Sequence, residues 1–152
     1  ELFKLTKKYN AGLFLMHKRG TPKEMQKKLN PRANMVKEFD KFIEKRLKIL
    51  DKMKFNLKKV WFDPGIGFGK TLNQNLQLMR SLSKYSHKNL QILLGSSRKS
   101  WINFIDPSNA DQRIGGSLAS ITHALQQNVN TFRIHDVQET NQMIKVLKAL
   151  NK

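Results

Sequence analysis

Residues Lys59-Val60-Trp61-Phe62-Asp63-Pro64-Gly65-Ile66-Gly67-Phe68-Gly69-Lys70-Thr71 run an apolar triplet into a carboxylate and then into three glycines at alternate positions. Val60, Trp61 and Phe62 are β-branched or aromatic and uninterrupted by charge, the composition of a short strand covered on both faces. Asp63 then falls at the strand's carboxyl end. Pro64 cannot donate to a ladder, so the strand stops there, and the glycines let a backbone come close to another group. The stretch predicts a buried strand opening into a tight loop able to wrap something flat or anionic; a plain turn with spare glycines is the bland alternative. Gly69-Lys70-Thr71 imitates the end of a Walker A loop, but the position that must be glycine is Pro64. A nucleoside triphosphatase is therefore a secondary reading.

The same order of apolar run and polar ending recurs along the chain. Leu13 to Met16 lead into His17-Lys18-Arg19-Gly20-Thr21-Pro22, Leu90 to Gly95 lead into Ser96-Ser97-Arg98-Lys99-Ser100, and Val129 to His135 contain Arg133 and His135, which project on one face of a strand. Helices are expected between them. Glu1 to Tyr9 form a helical tail. Asn30 and Pro31 read as cap and first turn of a long amphipathic helix with Val36, Phe39, Ile43, Leu47 and Leu50 in its stripe. A shorter helix from near Asn73 carries Leu76, Met79 and Leu82; another carries Trp101, Ile102 and Ile105 and breaks at Asp106-Pro107. One from near Asp111 carries Ile114, Leu118, Ile121 and Leu125, with Gly115-Gly116-Ser117 permitting close packing, and the last spans about 137 to 150. Free amides at the mouth of the helix after Lys99 make a candidate anion site. Four strands alternating with helices are the pattern of parallel βα units with their polar ends on one edge. In a (β/α)8 barrel that edge carries the active site.

The chain has 152 residues and a net charge of +18, enough basic excess to raise nucleic acid as a partner. The lysines are spread over the polar faces of the expected helices, which favours solvated faces over a polyanion footprint. There is no cysteine, no apolar run of membrane-spanning length and no signal-like leader, so a soluble protein of the cytoplasm is expected. No methionine opens the sequence, and it reads as a cut through a longer protein. His17, His87 and His123 show no zinc-ligand spacing.

Taken in order, four segments resemble the C-terminal half of the dihydropteroate synthase family, the folate-pathway enzymes blocked by sulfonamides. They are Leu15-Met16-His17-Lys18-Arg19-Gly20-Thr21-Pro22 with Met25-Gln26, Asp63 through Lys70, Gly95 with Ser97-Arg98-Lys99-Ser100, and Arg133-Ile134-His135-Asp136-Val137; Gly116-Ser117-Leu118-Ala119 also matches. The resemblance covers essentially residues 1–152 as one pterin-binding domain incomplete at its N-terminus. It implies an α/β fold, the last four βα units of a TIM (β/α)8 barrel. It also implies a transferase that joins 6-hydroxymethyl-7,8-dihydropterin diphosphate to 4-aminobenzoate with loss of pyrophosphate.

On that resemblance Met16, Asp63, Phe68, Gly95, Lys99 and Arg133 bind the pterin, with Asp63 accepting from its amidine-like N–H pair and Lys99 donating to its acceptor edge. Phe68, Ser97 and Arg98 hold the aminobenzoate. Arg133 and His135 grip the diphosphate, and Lys99, Arg133 and His135 are the catalytic set, with no nucleophile. Magnesium is the implied cofactor, its ligand expected in the absent first half, and this chain is expected to supply no metal ligand. The resemblance further implies a homodimer, and the piece alone is expected to be inactive and to self-associate. Lys18, Asn128 and Asn130 depart from the family's usual residues. A basic nucleic-acid module and a related pterin-binding methyltransferase are the alternatives.

Overall fold

The computed structural model describes residues 1–152 except Pro22, Gln26, Lys28, His87 and Lys152. The motif positions Pro22 and Gln26, and the reading of His87, lie outside the described residues. Strands β1 (Leu13–Met16), β2 (Val60–Asp63), β3 (Gln91–Leu94) and β4 (Thr131–Phe132) lie side by side in sequence order, every neighbouring pair parallel. Helices α1 (Leu2–Lys8), α2 (Met35–Lys52), α3 (Leu72–Arg80), α4 (Ser83–Ser86), α5 (Ser100–Asn103), α6 (Ile114–Leu125) and α7 (Val137–Leu150) flank and connect them. Parallel neighbours need a crossover, and helices supply it here. All four carboxyl ends consequently emerge on one rim.

Burial alternates along the strands. Leu13, Leu15, Val60, Phe62, Ile92 and Leu94 are sealed against the helices, whereas Phe14 and Met16 are exposed and Trp61, Gln91 and Leu93 only half-buried. The expectation that β2 is covered on both faces is thus corrected: helices cover one face, and on the other Phe14 and Trp61 rest against each other at 5.1 Å between ring centroids. Under the covered face Met35, Phe39, Leu50, Leu78, Leu82 and Tyr85 are fully buried. Each such side chain contributes about 1.5–3 kcal/mol by leaving water. Phe39 meets Tyr85 edge-on at 5.0 Å.

Several boundaries differ from the sequence expectation. The long helix begins at Met35, because the Asn34 side chain accepts from the Lys37 amide at 3.0 Å. Asn30 instead closes a local turn on the Arg32 amide. Thr71 caps α3 in a reciprocal box with Gln74, whose amide nitrogen also donates to the carbonyls of Asn30 and Ala33, locking the start of α3 to the approach of α2. Leu82 lies just past α3, and α5 ends at Asn103, which leaves Ile105 beyond it and exposed. The helix expected from Asp111 begins at Ile114 after a 3-10 turn at Ala110–Gln112. Ladder pairing in β4 is confined to Thr131 and Phe132, with one further bond from the Arg133 amide to the Leu94 carbonyl. Close packing at Gly116 is found as expected: a Cβ there would meet Ile102 Cγ2 at 2.6 Å.

Candidate active site

Asp63 ends β2 with its side chain nearly sealed, and its Oδ1 accepts from the Gly65 amide at 2.7 Å. Burial pushes its carboxyl above the ordinary range, while the Gly65 bond and the charges of Lys99, Lys70 and Arg133 pull the other way. The loop that follows is fixed by its glycines. Gly65 has φ +64°, and a Cβ on it would sit 2.0 Å from the His17 carbonyl oxygen; Gly69 has φ +70°, and a Cβ there would sit 2.5 Å from the Arg19 carbonyl oxygen. The loops after β1 and β2 are therefore in backbone contact, a closeness that only glycine allows. Gly67 donates its amide to Asn75 Oδ1 at 2.8 Å, which ties the loop to α3.

Lys99 reaches across from the β3 loop and donates to the Ile66 carbonyl at 2.7 Å, its ammonium 4.6 Å from the centre of the Phe68 ring. Burial draws its pKa down to about 8, with Asp63 opposing and Arg133 reinforcing the shift. Gly95 keeps the space between strands open. A Cβ there would stand 3.8 Å from Lys99 Nζ, 3.8 Å from Arg133 Cβ and 3.9 Å from Arg133 Cδ. Asp63, Lys99, Gly95, Phe68 and Arg133 are therefore neighbours on one rim, with Met16 beside Asp63 in the strand register.

The rest of the rim is built from the loops after β3 and β4. Ser97 is buried, and its hydroxyl lies 3.1 Å from His135 Nδ1 and accepts from the His135 amide at 3.4 Å. Arg98 adopts φ +56°, held by Ser117 Oγ on its amide at 2.9 Å and by Arg113 Nη1 on its carbonyl at 2.9 Å. Its guanidinium forks onto Asp136, the residue at the N-cap of α7. That pairing raises the guanidinium's pKa and holds the Asp136 carboxyl below its usual range. The mouth of α5, where an anion site is expected, is the start of a helix of four residues with Lys99 at its cap, and the Arg98 amide before it is taken by Ser117 Oγ. Arg133 and His135 are exposed on the rim.

The pterin binding enzyme family matches residues 1–135. The chain belongs to that family. Dihydropteroate synthase of Escherichia coli K12 is 35% identical over 136 residues, covering 89% of this chain and 48% of that protein. A solved dihydropteroate synthase of Yersinia pestis in complex with a sulfonamide drug is 31% identical, with a TM-score of 0.89, over 97% of this chain and 54% of that one. The Thermus thermophilus enzyme solved with 4-aminobenzoate is 29% identical, with a TM-score of 0.89, over 99% and 61%. The chain spans about half the length of the curated relatives it matches. The fold is accordingly the parallel α/β fold of those structures, which are TIM barrels.

Sequence reasoning about this pterin binding enzyme misses the residues that hold the named ones. Lys70 reads there as the end of the glycine-rich family segment and as part of a Walker A decoy, with no role of its own. Asn75 and Arg113 carry no local signal, because their partners lie on other loops, and Ser117 stands in a quoted motif without its bond to the Arg98 amide being foreseen. His17 is buried between Phe39 and Phe42, and burial lowers its pKa to about 4. His123 is exposed on α6, as a helix flank should be. Among the described residues no three His, Cys, Asp or Glu side chains gather as metal ligands, and the carboxylates at the rim face lysine and arginine, so these residues do not fit a magnesium ion. Among the described residues no helix is long and apolar enough to cross a membrane.

Proposed function

We propose that this chain is the part of a dihydropteroate synthase that holds the pterin and its leaving group. The observation carrying the reading is the slot at Gly95, where an acceptor (Asp63) and two cations (Lys99 and Arg133) face a single space bounded by the Phe68 ring. A pterin presents paired N–H donors on one edge and acceptors on another. Asp63 accepts the first, a charge-assisted pair worth more than neutral bonds, and Lys99 donates to the second. Met16, Gly95 and Phe68 give the flat ring its walls.

Arg133 and His135, exposed on the same rim, are the groups we assign to the diphosphate of such a pterin. As the C–O bond to the pterin methylene breaks, its electron pair leaves with the pyrophosphate, and fixed positive charge lowers that barrier. The aromatic amine then attacks the electron-poor methylene and loses its proton to solvent. Ser97 and the stem of Arg98 flank the aminobenzoate, a ligand with which one relative has been solved. Positioning contributes the remainder, and no protein nucleophile takes part. Magnesium finds no ligand set among these residues, and no step above is routed through it.

Edge strands β1 and β4 and the half-open sheet face leave this chain in want of further barrel wall, so the 152 residues alone are inactive and self-associate. The working form is a homodimer in the cytoplasm. The test measures pyrophosphate release by the polypeptide as encoded, with both substrates supplied. Release that requires 4-aminobenzoate and vanishes in Lys99→Met supports the reading. Absence of dihydropterin binding by calorimetry, or release that ignores the amine, overturns it. Light scattering that finds a dilute stable monomer overturns the assembly.

A further inference from the structure

Lys70 takes no part in the steps above, yet it is 3% exposed and lies directly under the loop after β2. Its Nζ donates to the carbonyls of Gly65 at 2.8 Å, Phe68 at 3.1 Å and His17 at 3.2 Å. An ammonium has three donors, so none remains for a substrate. The acceptors come from two segments, His17 after β1 and the two ends of the turn in which the Phe68 amide also bonds to the Gly65 carbonyl at 3.1 Å. Burial draws this ammonium's pKa down to about 8, with Asp63 and Glu38 opposing and Lys99 and Arg19 reinforcing.

A sealed ammonium carries a desolvation cost that an apolar side chain of equal length avoids. Such a side chain would also leave the carbonyls of His17, Gly65 and Phe68 without this donor. The lysine gathers three carbonyls at one point, in the same loop whose Gly65 amide bonds Asp63 Oδ1 and whose Ile66 carbonyl accepts from Lys99.

We infer that Lys70 is a positioning residue for pterin recognition, its ammonium setting loop 64–69 in the shape that directs the Asp63 carboxylate, the Phe68 ring and the Lys99 amine into one slot. This rests on the pterin-binding reading above. Lys70→Met keeps the length and removes the charge; Lys70→Gln keeps an amide donor on a shorter stem and decides the matter by the same readouts if the first variant does not fold. Three quantities are read on the polypeptide as encoded: the Kd for 6-hydroxymethyl-7,8-dihydropterin diphosphate, the melting temperature, and amide hydrogen exchange by peptide.

The expected result is a Kd raised more than tenfold, a melting temperature within about 4 °C of the wild type, and faster exchange confined to residues 13–19 and 64–70. A Kd within twofold of the wild type, or exchange that is unchanged or accelerated throughout the chain, overturns the inference. Wild-type protein that binds no dihydropterin sinks the functional reading instead, and the exchange result then decides by itself whether Lys70 holds the loop.

Discussion

The rim after β2 and the rim after β4 belong to the same sheet edge but are built in opposite ways. After β2 nearly every group is pinned: Asp63 by Gly65, the Ile66 carbonyl by Lys99, Gly67 by Asn75, and the carbonyls of Gly65 and Phe68 by Lys70. After β4 a strand of two residues gives way to exposed Arg133 and His135, with Ser97 beside the His135 ring. The first rim suits a rigid heterocycle, whose donors and acceptors sit at fixed points. The second suits a flexible polyanion, which asks for charge more than for angle. On the proposed function, the pinned rim meets the stiff part of the ligand and the looser rim its flexible part.

The contrast breaks most visibly with Asp63→Asn, which leaves the pterin's donors without a charged acceptor and should lower kcat/KM by roughly 10³-fold, about 4 kcal/mol, read by steady-state kinetics. Arg133→Met should lower kcat about 10²-fold and weaken pterin diphosphate binding less than Asp63→Asn does. Loss of affinity equal to that of Asp63→Asn would erase the distinction between the rims. Added salt should weaken the Arg133 contribution and spare the sealed Asp63 site.

Gly65→Ala tests the pinned rim by geometry alone, since its Cβ would stand 2.0 Å from a backbone oxygen at a positive φ. A loss of about 3 kcal/mol in urea unfolding is expected. Gly95→Ala, with its nearest contacts at 3.8 Å, should cost little stability and act on ligand binding instead.

His17 sharpens the comparison through pH. It stays neutral down to about 4 in the folded chain, against 6.5 ordinarily, so between those values the unfolded state binds more protons and stability rises with pH. From about pH 5 to 6.5 the gain should be about 2 kcal/mol, and His17→Phe should flatten it. The smallest effect is at Lys99. Its pKa of about 8 means that the charged donor is lost as pH rises through that value, so kcat/KM should fall about tenfold per unit above it, and Lys99→Arg should move the break upward.

Much of this is legible in the sequence. The alternation of apolar runs with polar endings marks four βα units because strand and helix periods are local properties. Asp63, Lys99 and Arg133 lie far apart in the chain yet converge, because parallel strands put their carboxyl ends on one edge. The cap of the long helix falls at Asn34 rather than Asn30, and sequence misplaces it because two Asn residues precede the same stripe and only the backbone decides between them. β4 is shorter than its apolar run because composition cannot show where a neighbour's ladder stops. The clamp of Arg113 and Ser117 on Arg98 is invisible in sequence because its members meet only after folding.

The contact between Gly65 and the His17 carbonyl also constrains how such proteins can be recombined. Two loops whose main chains touch without side chains between them form a single inherited part, so a chimera that takes one of them from a cousin and keeps the other joins surfaces shaped for different partners. Exchange points in this scaffold belong inside the helices, where a seam leaves both loops with their original mates.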